Sequence, residues 1–185
     1  PLGYRVALSG KTHIQPREVF PFEYSANKNN PDMSVIDQFL GECRQSKTPF
    51  CLFACSNEPH SPWNKGDSSR YDPAKLTLPP YFVDTPVTRK HLADYLAEIT
   101  YLDQQVGQCL ALLEKHQVTD NTLVIFTSEQ GSGFPFAKWT CFDNGLHTGL
   151  VAYGPGIIPK GHVSEELFWL CDVAPTMIEA AGGKI

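Results

Sequence analysis

The stretch DNTLVIFTSEQG, residues 120–131, decides the architecture. Asp120 and Asn121 form a turn signal, and TLVIFTS after them is a continuous β-branched and aromatic run that reads as a buried central strand. The run stops at Glu129, Gln130 and Gly131. Upstream, Thr85 and Pro86 supply a cap and first turn. Leu92, Leu96, Ile99, Val106, Leu110 and Leu113 then recur at threes, fours and sevens, which predicts a long helix to about His116 with that stripe in the core. Further back, Tyr4 to Ser9 reads as a short strand ending in Gly10. Ser34 caps a helix through about Gln45 with Val35, Phe39 and Leu40 on its apolar face, and Pro49 releases a second strand, Phe50 to Cys55. Downstream come a strand at Leu150 to Tyr153, a Gly-Pro-Gly turn at 154–156, and a closing helix from Asp172 to Gly182 and Gly183. Strands alternating with helices specify an α/β sandwich with a largely parallel sheet.

Composition narrows the function classes. The chain has 185 residues, 42% hydrophobic and 19% charged, as in an ordinary globular domain. The formal net charge is −5, without a basic stripe, which argues against nucleic acid as a partner. No stretch approaches the roughly 20 apolar residues that span a bilayer. PLGYRVALSG at the start has neither the basic residues nor the apolar run of a signal peptide. The six cysteines form no Cys-x-x-Cys pair, and Cys51 and Cys55 read as small buried hydrophobes of a strand.

Three polar clusters fall immediately after predicted strands: Lys11 with His13, Asn57 to His60, and Glu129 with Gln130. Ligands of open α/β sheets bind outside the carboxyl ends of the strands, so the three are expected to meet in one crevice, with Gly10, Ser56 and Ser128 ending neighbouring strands. Glu129 and Gln130 offer hard oxygen donors suited to Ca²⁺ or Mg²⁺, and equally fit a solvated turn. Lys138 lies among Phe134, Phe136, Trp139 and Phe142, where it can bind an anion or rest against a ring. His147 follows an Asp-Asn-Gly turn signal. His91, His116 and His162 read as surface positions without partners. Residues 56–85 show no periodicity, and a loop of that length inside a domain reads as a substrate-facing excursion.

The residues also resemble a known family. Gly-Tyr-x-x-x-x-x-Gly-Lys-x-His at Gly3 to His13, the Pro59-His60 pair, the run at 120–131, Lys138 and the glycines at 154–156 look like type I sulfatases of the alkaline phosphatase superfamily. The likeness runs in family order along essentially the whole chain. GKTHIQPREVFPFEY (10–24) and YDPAKLTLPPYFVDTP (71–86) are most similar to sulfamidases and related bacterial sulfatases.

The resemblance implies an alkaline phosphatase-like fold in which residues 1–185 are part of one catalytic domain. It implies a calcium ion held by four oxygen-bearing residues, two of them matched by Glu129 and Gln130, although Asp is usual where Glu129 stands. Lys11 and Lys138 would hold sulfate oxygens, His13 would assist the nucleophile, and His60 would sit near the leaving group. The family's nucleophile is a formylglycine made in a Cys/Ser-x-Pro-x-Arg motif, and no cysteine here has that context. That motif and the paired Asp ligands precede Gly3 in the family's order, so the chain is expected to be a piece that is inactive alone. The implied substrate is a sulfated sugar, N- or O-sulfated on a glucosamine-type unit, as in glycosaminoglycan degradation. Trp63, Lys65, Arg70, Tyr81 and His147 are the candidate sugar contacts. The family suggests a periplasmic, secreted or lysosomal setting. A phosphatase or phosphodiesterase of the same superfamily and a non-catalytic glycan-binding pseudoenzyme are the competing alternatives.

Overall fold

The computed structural model describes residues 2–185. Strand β1 (Arg5–Gly10) is the centre of a three-stranded parallel sheet, flanked by β2 (Glu23–Tyr24) and β3 (Phe50–Cys55). Arg5 pairs with Phe50 and Gly10 with Cys55, so both strands end together. Helix α1 (Met33–Ser46) crosses between β2 and β3 and buries Ile36, Phe39, Leu40 and Cys43 against Ala7. This right-period helix on a parallel pair is the unit expected of an α/β layer. Its N-cap is Asp32, whose Oδ1 accepts from the amides of Ser34 (3.1 Å) and Val35 (3.3 Å). Ser34 was expected to cap; it lies inside the helix and its hydroxyl donates to Asp32 at 2.7 Å.

Helix α2 (Pro86–Lys115) starts as expected, with the Thr85 hydroxyl accepting from the amide of Thr88 at 3.1 Å. Its buried face keeps Leu113, with Leu110 packed against the core, but otherwise departs from the expected leucine stripe. Ala93, Ala97, Glu98, Gln105 and Leu113 are buried, whereas Ile99 is 38% exposed. The cause is the excursion, which lies along the first half of the helix and needs small residues beneath it. The second half packs on α1, where Asp37 binds Lys115 Nζ at 2.6 Å and His116 Nε2 at 2.7 Å. His116 therefore has a partner and is largely buried, contrary to the surface position read from the sequence.

Strand β4 (Val124–Thr127) corrects another expectation. It pairs antiparallel with β5 (Leu150–Tyr153), Val124 opposite Tyr153 and Thr127 opposite Leu150, in a separate two-stranded ribbon. Val124 packs on the core, yet Phe126 is half-open to solvent, so β4 is not buried on both faces. Ser128 accordingly does not end a strand hydrogen-bonded to β1 or β3. A short helix α3 (Asp143–Leu146) precedes β5, and α4 (Val173–Ala180) closes the chain after a 3-10 turn at Leu170–Asp172. No helix among the described residues is long and apolar enough to cross a membrane. The six cysteines are unpaired, and burial pushes the Cys51 and Cys55 thiols above their ordinary range.

Candidate functional site

The ends of β1 and β3 form the floor of the site. Gly10 has φ +104°, and a Cβ there would overlap the Cys55 carbonyl, so the chain can turn out of β1 this close to β3 only with glycine. The Lys11 amide then donates to the Cys55 carbonyl at 2.9 Å, which sets Lys11 and the residues after Cys55 on one edge. Lys11 is half-buried and His13 is exposed. Beyond them opens a cleft of about 680 Å³ whose lining includes Thr12, Gln15, Arg17, Tyr24, Ser25 and Lys28. The Arg17 guanidinium lies over the Tyr24 ring at 4.4 Å. These cleft residues were absent from the sequence-derived set, although Thr12 stands between two of its members.

The turn after β3 is built by polar contacts. Asn30, just ahead of α1, accepts from the Ser56 hydroxyl (2.9 Å) and the Asn57 amide (3.2 Å) and donates through Nδ2 to Glu58 Oε1 (2.9 Å). The His60 amide closes the turn on the Asn57 carbonyl at 3.1 Å, and His60 Nδ1 lies 2.6 Å from the Ser61 carbonyl oxygen. That contact makes Nδ1 the protonated nitrogen of a neutral ring, leaving exposed Nε2 free as an acceptor, or as a donor once the ring is charged.

Aromatic packing joins this turn to the loop that carries Lys138. Trp63 stacks on Phe134 at 4.7 Å and meets His91 and Tyr95 edge-on at 5.9 and 5.6 Å. Phe82 also meets Phe134, at 5.0 Å, and Tyr81 meets Phe136, at 5.9 Å. His91 thus has a ring partner that the sequence did not suggest, whereas His162 is exposed. Trp63 is half-buried with much of its ring committed to protein, so it serves the cluster first. Lys65, Arg70 and Tyr81 are exposed, and the Tyr81 hydroxyl accepts from Asn144 Nδ2 at 2.9 Å. His147 is exposed, 3.6 Å from Asp143. The Lys138 amide donates to Ser132 at 2.9 Å, and its Nζ sits 5.3 Å from the ring of Trp139, which is 91% exposed. A cation–π contact this open is weak, roughly 0.5–1 kcal/mol, and yields readily to an anion. Phe136 and Trp139 both have positive φ, +62° and +69°, an unusual backbone for aromatic residues that gives this loop its sharp path.

Glu129 is exposed and Gln130 half-buried, and neither side chain is taken up by another described residue. The Ser128 and Gly131 amides, bonded to the carbonyls of Gly149 (3.2 Å) and Gly145 (3.3 Å), fix the backbone on both sides of the pair. Two uncommitted oxygen donors on a fixed turn fit a hard cation such as Ca²⁺. They are too few to enclose one, and no group of three His, Cys, Asp or Glu converges among the described residues.

Comparisons with known proteins place the chain as a whole. The family model described as Sulfatase matches residues 5–183. An ulvan-active sulfatase of Formosa agariphila is 30% identical over 99% of this chain and 37% of its own length. Human N-sulphoglucosamine sulphohydrolase is 27% identical over 96% of this chain and 42% of its own. A solved Bacteroides thetaiotaomicron structure from work on glycosaminoglycan metabolism superposes with TM-score 0.81 at 20% identity, covering 97% of this chain and 51% of that one. A Bacteroides fragilis structure described as a sulfatase gives 0.79 at 19% identity, covering 96% and 52%. The chain therefore spans about two-fifths of the length of these curated relatives.

Proposed function

The chain belongs to the sulfatase family, and from that membership we propose that the protein containing it hydrolyses a sulfate ester or sulfamate on a sugar. The supporting observation is the family match over residues 5–183, which takes in every candidate catalytic residue. Relatives named for ulvan and for N-sulphoglucosamine favour a sulfated saccharide. Lys11 and Lys138 receive the sulfuryl oxygens, where fixed cations stabilise the charge that builds during transfer. His60, with its Nε2 side open, donates a proton to the departing sugar oxygen or nitrogen when charged. His13 assists the nucleophile. The cleft from Thr12 to Lys28 adds Arg17 and Lys28 as contacts for further anionic groups of the saccharide, and the exposed Lys65, Arg70, Tyr81 and His147 are further candidate contacts.

Glu129 and Gln130 would hold calcium together with ligands outside residues 1–185. When bound, calcium would supply positive charge beside the sulfuryl oxygens that Lys11 and Lys138 receive. The attacking oxygen is a formylglycine from a segment outside these residues, so residues 1–185 alone turn nothing over.

The test is an assay of the intact protein, produced with a formylglycine-generating enzyme, on an aryl sulfate and on N- and O-sulfated glucosamine. Lys11→Ala and Lys138→Ala are each expected to lower kcat by ~10²–10³-fold, the scale of losing one stabilising group. Turnover by residues 1–185 alone, abolished by Lys11→Ala, would place the nucleophile inside them and overturn the proposal. Calorimetry should detect calcium on the intact protein and weaker binding in Glu129→Ala; tight zinc without calcium would contradict the metal assignment.

A further inference from the structure

Glu98 is an acid with no exposed surface in the middle of α2. Its Oε1 accepts from the Lys65 amide at 2.5 Å, and the Asn64 amide also points at the carboxyl. Its Oε2 is buried with no hydrogen-bond donor in reach. The carboxyl of Glu58, itself 9% exposed and held by Asn30, lies beside the Glu98 carboxyl. Two buried carboxylates cannot both be ionised at hydrogen-bonding range without a cation between them.

The surroundings supply no such cation among the described residues. The segment ahead of α1 contributes the neutral amide of Asn30, and residues 64 and 65 contribute backbone amides while the Lys65 side chain stands in solvent. On α2, Asp94 is paired with Lys90 at 2.6 Å, and Tyr95 packs on Trp63. The nearby 131–142 loop places Lys138 over Trp139. Burial, with the Glu58 carboxyl adding to it, holds the Glu98 carboxyl above the ordinary carboxylate range.

We propose that Glu58 and Glu98 share one proton, and that the O–H···O bond between them fastens the turn carrying His60 to α2. The proton satisfies the orphaned Oε2 as a donor and removes the like-charge repulsion. The same stretch of chain is clamped at Gly66, φ +68°, where a Cβ would overlap the Ala97 carbonyl. Glu58 and Glu98 are thus positioning residues for His60, whatever chemistry His60 performs. Because folded Glu98 keeps a proton that the unfolded chain releases, the stabilisation is complete below the ordinary Glu range and is lost as pH rises through the raised value of Glu98.

The experiment is hydrogen exchange on the intact protein, reading protection at the Asn64 and Lys65 amides against pH in wild type, Glu98→Gln and Glu58→Gln. A glutamine keeps an acceptor and replaces the shared proton with a fixed N–H donor. Protection in wild type is expected to fall with rising pH relative to Glu98→Gln, by up to about tenfold per pH unit, the limit for loss of one proton. In Glu98→Gln the protection factor stays flat, and Glu58→Gln behaves likewise. Infrared difference spectra at neutral pH should show a protonated-carboxyl band in wild type that Glu98→Gln removes. Parallel pH dependence in wild type and both variants, absence of that band, or calcium-dependent protection at these amides would overturn the shared proton. None of these readouts requires sulfatase activity, so they stand apart from the test of the reaction.

Discussion

At Gly10 a single residue decides how Lys11 is set against the end of β3. Gly10→Ala has to move either the Cys55 carbonyl or the left-handed backbone at φ +104°. It should cost ~1–3 kcal/mol by denaturant midpoint, the usual scale of overpacking. At the same scale the sequence marks Lys11, His13 and His60 as candidates because they are polar residues just past strands, and Lys138 through the family pattern alone. It did not supply Glu58 with Glu98. An acid interrupting the Ala93–Ala97 face of a helix was the available signal, but only the fold reveals that a second acid is its neighbour. The cleft residues Arg17 and Lys28 escaped for the related reason that a proline-rich loop carries no periodicity from which to infer what it encloses.

The helices are governed by their first residues. Asp32→Ala removes the acceptor for two orphan amides of α1 and should destabilise by ~1 kcal/mol in urea, whereas Ser34→Ala should cost much less. The Ser34 hydroxyl and the Val35 and Ser34 amides hold the Asp32 carboxyl below the ordinary carboxylate range. Its contribution is therefore present above the ordinary Asp value and lost as pH falls through its own lowered one, so the gap between Asp32→Ala and wild type should narrow in strong acid. Element positions were legible to within a few residues for β1, β3, α2 and β5, since caps and apolar runs are local. Strand pairing was not. TLVIFTS announces a strand but contains nothing that selects β5 over β1 as its partner, and the leucine stripe of α2 could not register that the excursion would claim the alanine face.

Over the whole molecule, residues 56–85 are bound along α2 rather than free over the site. Trp63 meets His91 and Tyr95, the Tyr71 hydroxyl meets Thr100, and Arg89 holds Asp84 at 2.6 Å and the carbonyls of Pro73 and Leu76 at 2.8 and 3.0 Å. Trp63→Ala should lower stability by ~3 kcal/mol, the low end for a large aromatic that is half-buried, and Trp63→Phe by much less, both read by thermal melting. If Trp63 were mainly a sugar platform, Trp63→Phe would instead raise KM with the melting point unchanged. The fastenings are spaced, with exposed stretches such as Ser69–Arg70 and Asp72–Lys75 near or between them. Because they belong almost entirely to one helix, the sequence between two of them can lengthen, shorten or change charge without disturbing the sheet, and each doubling of such a stretch costs only about 0.6 kcal/mol in closure entropy. The excursion is in this sense a replaceable cassette: its sequence can drift between the clips while Lys11 and Cys55 stay where the paired strands put them.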